Sequence, residues 1–563
     1  MTDIHKQTNI ADTIDANKVL HAQRASGSYQ AVEDTLAPDA ASVGFRHPGG
    51  YLFYRNVDFG DGKSTTFMAV LSADQEATGK NLEIRLDSLT GILIGSLTLS
   101  GGDETIFTEQ YTSLMQTVTG VHDVYLVSPN AVSIHIDWCI FSSYAGKESP
   151  EEKAERMRWW NHARFGMFVH WGAYANFPFD QTGPVSGYTE WVQSDSKISK
   201  EDYERMAVST FQPQQWDANA IVNLAKKAGQ KYIVFTSKHH EGFSMFDTHV
   251  TGFREYSLMH YGVYHGPDPL MELAEASRAA HIPFGCYYST MDWHHKASVN
   301  WGSIRDKAHY VADMKAQLRE LIENYNVDIL WFDGEWVDWW TASDGQELYR
   351  YLRTIKPSLI INNRVGKRAP TDGDFGTPEQ EIPANGLDYD WESCITMNNN
   401  WGYAPYDHNW KSPVWIVQSV VGTASKGGNI LLNIGPDAQG VVPKPCADSM
   451  RTAGEWLAAY GDSIYGTTAS PFAEALPFGA ATKKGGVLYL HITNWPQNGQ
   501  ISLPALKNRI IGVHTMGTSM PLTYTVTDDT MSISLPTVIP HMMDAVIEVL
   551  VQGIPQAAAH PQN

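Results

Sequence analysis

Between residues 151 and 465 the chain repeats one unit, a short apolar run followed by a longer amphipathic stretch. The apolar runs fall at 165–171, 231–237, 283–288, 327–335, 359–363 and 429–434. Stretches with helical period fall at 216–228, 269–280, 304–325, 346–355 and 448–461. Parallel strands buried on both faces read as continuous apolar runs, and a parallel pair needs a crossover that a helix can supply. This alternation, kept up over roughly 300 residues, predicts a (β/α) barrel, a fold of about 250 residues.

The run at 327–335 carries the most information. It reads Val327-Asp328-Ile329-Leu330-Trp331-Phe332-Asp333-Gly334-Glu335. Alternate side chains of a strand share a face, so Ile329, Trp331 and Asp333 point one way, Leu330 and Phe332 the other. Barrel enzymes place their chemistry at the carboxyl ends of the strands. A strand-ending Asp can equally cap the next turn, so the other strand ends carry weight. They read His170-Trp171, then Lys238-His239-His240-Glu241, Tyr287-Tyr288-Ser289 and Asn362-Asn363-Arg364. All converge on one rim, and five successive polar ends are hard to explain as packing.

Several chemistries fit this rim poorly. Barrel metal sites commonly use two His spaced by one residue on one strand face. Here His239 and His240 are adjacent and are expected to diverge, so no catalytic metal is expected. No G-x-S-x-G elbow and no dinucleotide fingerprint occur. The net charge of -21 argues against nucleic acid and anionic membranes as partners. A glycosidase fits better, because it needs two carboxyl groups flanking an oxocarbenium-like centre. Asp333 supplies one. Glu379, on a Gly/Pro-rich loop after strand five, and Glu392 are the candidates for the other. Rivals are a non-catalytic sugar receptor and a glycosidase for another sugar such as α-galactose.

Residues 1–150 carry β-signals at 51–59, 64–72, 81–86, 92–99, 123–127 and 132–141, which suggest a sandwich. Gly62-Lys63-Ser64 lacks the upstream glycine of a phosphate loop. Residues 466–552 return to β-signals at 487–492, 500–503, 523–526, 531–535 and 545–551, a second small β-sandwich. Residues 553–563 read as a tail, disordered from 557. Cys139, Cys286, Cys394 and Cys446 are scattered, which favours free buried thiols. The first residues lack a basic and apolar leader, so the expected location is cytoplasmic, or secreted where a leader has been removed. A neighbouring subunit completing the tryptophan-rich rim, and hence a homo-oligomer, is compatible with the sequence.

Two resemblances sharpen these expectations. Arg164-Phe165-Gly166-Met167-Phe168-Val169-His170-Trp171-Gly172, Glu190-Trp191, Lys238-His239-His240-Glu241-Gly242-Phe243, Gly285-Cys286-Tyr287-Tyr288-Ser289, Leu330-Trp331-Phe332-Asp333-Gly334 and Asn363-Arg364 resemble glycoside hydrolase family 29, the retaining α-L-fucosidases. The resemblance implies Asp333 as nucleophile and His170, Glu190, Trp191, His239, His240, Tyr287 and Arg364 as fucose contacts. It implies a fucosylated oligosaccharide or glycoconjugate as substrate and no catalytic cofactor. Asp-Phe-x-Thr-x-Glu at 374–379 matches one form of the family's acid/base motif and favours Glu379. Glu241 departs from the family's usual Asp. Separately, Tyr54-Arg55-Asn56-Val57-Asp58-Phe59-Gly60, Arg85 to Gly91, Val118 to Leu126 and Ile136-Asp137-Trp138 resemble a family 6 carbohydrate-binding module. That implies a jelly roll that binds sugar, often with a structural calcium. Asp137 matches one ligand, whereas Gln23 stands where the family has an acid. The expected fold is thus a multidomain α/β chain, its (β/α) barrel flanked by an N-terminal jelly roll and a C-terminal β-sandwich.

Overall fold

A computed structural model of the chain describes residues 13–34, 42–130, 133–179, 187–518 and 520–558. Its centre is a seven-stranded, all-parallel sheet. In chain order the strands are Phe165–Val169, Ile233–Lys238, Phe284–Ser289, Ile329–Asp333, Ile360–Ile361, Glu392–Thr396 and Asn429–Ile434. The first pairs with both the second and the last. Between the fifth and sixth lies a short segment, 375–379, joined by parallel bridges Asn362↔Phe375, Gly376↔Trp391 and Glu379↔Cys394. The ring therefore closes through an eighth, irregular stave.

Asn362 explains why strand five ends early while its pairing continues. Its side-chain Oδ1 accepts from the Phe332 amide at 2.7 Å, and its Nδ2 donates to the Phe332 carbonyl at 2.9 Å. A side-chain amide thus extends the ladder where the backbone turns away into the 3-10 turn Asn363–Val365. The expected strand at 359–363 is correspondingly shorter. Strand six and the helix Pro413–Ala424 behind it carry no clear period in the sequence.

Two crossovers, before and after the irregular stave, lack helices. The helix Pro150–Ala163 compensates from below. Ser149 and Glu152 form a reciprocal capping box around Pro150, which fixes its start. It buries Met157 and Trp160 among Phe168, Ile329, Trp331, Ile360 and Phe375 inside the ring. The Trp160 carbonyl accepts from Asn429, the first residue of strand seven, at 2.8 Å. The helix thus plugs the amino-terminal end of the barrel, opposite the strand tips. The alternation expected for strand four is seen: Ile329 and Trp331 lie in this inner cluster, Leu330 and Phe332 in the layer facing the helices.

The N-terminal module is a sandwich of two six-stranded sheets. The sequence-predicted start of its last strand, 132, lies outside the described residues; the strand runs Ile134–Ser142. On one outer face Tyr29 stacks on Tyr51 at 5.7 Å and Phe53 on Tyr125 at 5.3 Å, a ring surface suited to sugar faces. The other sheet docks on the barrel: Met68, Val70, Phe107, Trp138 and Ile140 merge into the barrel's helix layer. Arg350 lies 3.9 Å above the Tyr111 ring, and Lys315 pairs with Glu109. Asp137 is buried at this seam, at a bulge of its strand. Calcium takes six to eight oxygens, and among the described residues no three His, Cys, Asp or Glu side chains gather into a metal cage. No step below uses such an ion.

The C-terminal unit pairs a five-stranded with a three-stranded antiparallel sheet. Tyr489, Met516 and Val546 join the barrel core, and the Trp456 indole donates to the Asp544 carbonyl at 2.9 Å. The tail expected to be disordered from 557 is tied down at its start, where the Ala558 amide donates to Ala505 at 2.7 Å; residues 559–563 lie outside the described residues. All four cysteines are buried and unpaired. Among the described residues no helix is long and apolar enough to cross a membrane.

Candidate active site

A cavity of about 320 Å³ opens at the carboxyl ends of the strands. All nine residues singled out from the sequence as site residues line it; Glu392, the alternative acid, does not. Asp333 ends strand four, and its Oδ2 accepts from the Tyr287 hydroxyl at 2.9 Å. Its Oδ1 accepts from Arg364 Nη1 at 2.7 Å. Burial alone pushes this carboxyl up, but the Arg364 charge, with Arg368 behind it, holds it down at about 2. It is held as an anion.

Arg364 is the hub. Its second nitrogen, Nη2, donates to Glu379 Oε2 at 2.8 Å, while Nε donates to Thr377 Oγ1 at 2.8 Å. Its plane rests on Trp331, 4.6 Å from that ring. One rigid guanidinium thus bridges the Asp333 and Glu379 side chains, one nitrogen to each, a planar fork that lysine lacks. The loop after strand five, on which Glu379 was expected, is drawn into the ring there, with the Glu379 backbone bridged to Cys394. The Glu379 side chain is one-third exposed at the cavity mouth.

His239 and His240 were expected to diverge. Instead their ring centroids lie 4.2 Å apart and both face the cavity. The register between strands two and three slips between Thr236 and Lys238, a bulge that re-aims the strand end. Lys238 turns outward, where its Nζ meets Asp292 at 3.1 Å, and both imidazoles lie beyond the regular strand.

The histidines are neutral, and two have fixed tautomers. Asn433 Nδ2 donates to the Trp401 carbonyl at 2.7 Å, so its Oδ1 faces His170 Nδ1 at 2.7 Å and accepts a hydrogen bond from it. Ser289 donates to the Met291 carbonyl at 2.6 Å, so its oxygen accepts from His240 Nδ1 at 2.7 Å. Both rings therefore offer an Nε2 lone pair to a hydroxyl donor. Burial lowers His170 to about 3 and His240 to about 4. Glu190, in the 3-10 turn Thr189–Trp191, accepts from the Gly402 amide at 3.0 Å, and burial lifts it to about 7. Its other oxygen is buried with no hydrogen-bond partner among the described residues.

The apolar wall comes from Phe168, Trp331 and Trp401, and the rim from Tyr188, Trp191 and Trp336. Trp336 lies near-parallel to Trp191, with ring centroids 6.1 Å apart. Trp336 and Trp401 were not picked out from the sequence. Trp336 lies only three residues beyond Asp333, so proximity to the motif was a usable signal. Trp401 follows the unrecognised strand six and had none. Asn433, an amide flanked by Leu432 and Ile434 in the run at 429–434, was a legible sign of an inward polar contact.

Glu392 sits one layer deeper. It accepts from the Trp331 indole at 3.0 Å and from the Tyr232 hydroxyl, and is wholly buried. Burial raises it to about 7, against about 4.3 in an unfolded chain. Between those values the folded state keeps a proton that the unfolded state has released, so stability falls as pH rises through the window and stays at the lower level above it. Glu392→Gln should therefore lose less stability than the parent between about pH 5 and about pH 8. Urea midpoints with the same pH dependence in both proteins would refute this.

The sequence profile of the family described as Alpha-L-fucosidase matches residues 140–462, and that of Carbohydrate binding module (family 6) matches residues 21–143. Human plasma alpha-L-fucosidase is 28% identical over 420 residues, covering 68% of this chain and 87% of the relative. The structure of alpha-L-fucosidase isoenzyme 1 from Paenibacillus thiaminolyticus superposes with a TM-score of 0.65 at 33% identity, covering 71% of this chain and 99% of that one. A GH29 alpha-L-fucosidase from Bacteroides thetaiotaomicron, trapped as a covalent intermediate with 2-fluoro-fucosyl fluoride, matches with a TM-score of 0.65 at 25% identity, covering 73% and 98%.

Proposed function

Because this chain belongs to the alpha-L-fucosidase family, glycoside hydrolase family 29, we propose that its strand-tip cavity is the active site of a retaining α-L-fucosidase acting on terminal residues of fucosylated glycans, with Asp333 as nucleophile and Glu379 as acid/base. The observation that supports these roles most directly is the single guanidinium of Arg364 holding both carboxylates inside one cavity. Retaining glycosidases need two such groups about 5–5.5 Å apart, and a sugar receptor has no use for the pair.

In the first step an Asp333 oxygen bonds to the anomeric carbon as the glycosidic C–O bond breaks. The leaving oxygen takes its proton from Glu379. In the second step Glu379 takes a proton from water, the water oxygen bonds to the anomeric carbon, and the ester to Asp333 breaks. Configuration is retained because the carbon is inverted twice. The Nε2 atoms of His170 and His240, the free oxygen of Glu190 and the Arg364 guanidinium bind hydroxyls. The aromatic wall of Phe168, Trp331 and Trp401 receives the deoxy sugar's methyl, where galactose would bury a hydroxyl without a partner.

Release of 4-nitrophenol from its α-L-fucoside, set beside the α-galactoside, tests this reading. The fucoside should be preferred by at least about a hundredfold in kcat/KM. Equal rates, or release from the galactoside alone, would overturn it.

A further inference from the structure

His239 differs from the other two cavity histidines in what stands behind it. Its Nδ1 makes no hydrogen bond among the described residues and faces the Glu241 carboxyl, 3.7 Å from Oε2. Glu241 is 1% exposed, and neither of its oxygens has a hydrogen-bond partner among the described residues. Gly172 makes room for it: a Cβ there would lie 3.1 Å from Oε1. A buried carboxyl with both oxygens unspent, aimed at an imidazole nitrogen that is also unspent, calls for an explanation.

We propose that Glu241 is a positioning residue for His239, and that the proton on its carboxyl decides whether the imidazole donates to, or accepts from, the fucosyl hydroxyl in front of it. The proposal rests on the fucosidase reading and deepens it.

The surroundings favour the protonated acid near neutral pH. Burial pushes Glu241 up to about 8, with Asp292 and Glu190 adding to the rise and its own amide and Lys238 opposing it. The Lys238 charge is largely spent on Asp292, 3.1 Å away. The phenols of Tyr174, Tyr203 and Tyr256 face the carboxyl from other elements, and burial keeps them neutral. His239 itself is driven well below the usual imidazole range by burial, then by His240, His170 and Lys238. Its ring therefore stays neutral, and only its tautomer is open.

Protonated, Glu241 donates to Nδ1, so Nε2 carries the hydrogen and points a donor into the cavity. Ionised, it accepts from Nδ1–H, and Nε2 becomes a third acceptor beside those of His170 and His240. A hydroxyl donates only once, so one whose proton is already spent on a neighbouring acceptor can pair with a donor at His239 but not with a further acceptor.

Calorimetric binding of L-fucose, which does not titrate, tests this. Affinity of the parent should fall about tenfold between about pH 7.5 and about pH 9.5, the size of one hydrogen bond turned against itself. Glu241→Gln keeps a donor at the same place at every pH and should abolish that fall. Glu241→Asp, which still titrates, should restore it. Glu241→Leu should bind about tenfold more weakly throughout. A Gln variant with the parent's alkaline loss would overturn the proposal, as would Gln and Leu variants weakened alike. Should the Leu variant not fold, the Gln and Asp pair decides by the first criterion. No L-fucose binding even by the parent would overturn the fucosidase reading instead.

Discussion

Asp333→Gly should lower kcat for aryl α-L-fucosides by on the order of 10⁴- to 10⁶-fold, the scale on which loss of a nucleophile removes the covalent route. The fold should survive. The side chain ends a strand at the cavity, and its backbone carbonyl still accepts from the Thr290 amide at 2.8 Å. The lost carboxylate does leave Arg364 with a free Nη1, but Glu379 and Thr377 still hold the other two nitrogens. The discriminating readout is stereochemical. With the nucleophile gone, azide enters on the face Asp333 occupied and displaces the leaving group once, giving the β-fucosyl azide. Near-parental turnover, or an α-azide product, would remove Asp333 from its role.

Glu379→Gly should behave differently. General acid catalysis contributes about 10²- to 10⁴-fold, and it matters most where the leaving group is a poor one. The variant should lose little on a dinitrophenyl fucoside in its first step and fall toward the full factor on a fucosylated oligosaccharide. Azide should restore turnover by attacking the ester to Asp333 without needing a base. That is the second inversion, so the product is the α-azide. The pair of variants thus gives opposite azides, an outcome that general destabilisation does not mimic. A Glu379→Gly protein with ordinary activity on oligosaccharides, beside an inactive Glu392 variant, would move the acid role to Glu392. The structure argues against that outcome, because Glu392 lies beneath Trp331 with both oxygens bonded.

Much of this site could be read locally. Period-two alternation put Asp333 on the inward face together with Trp331, and the same parity holds in the barrel. Runs of apolar residues located six of the strands, and the polar residues ending them marked the rim. Where reading failed, the cause was physical. His239 and His240 were expected to diverge because alternation was carried past Thr236, but a bulge breaks it there. The irregular stave at 375–379 was taken for a loop because it has no apolar period, and its pairing is three isolated bridges. Strand six begins with the acid Glu392, which is tolerated inside the barrel only because Tyr232 and Trp331 meet it there.

What the sequence determined alone is therefore the barrel, its two β-rich neighbours, and the inward aim of the strand-four carboxylate, since these follow from residue periodicity within a single segment. What the tertiary structure decided is which second carboxyl group shares the cavity with Asp333, which polar group stands behind each histidine, and the bridging of both carboxyl groups by Arg364. Those depend on distances between side chains from strands far apart in the chain, set by how the ring closes, and no local pattern carries them.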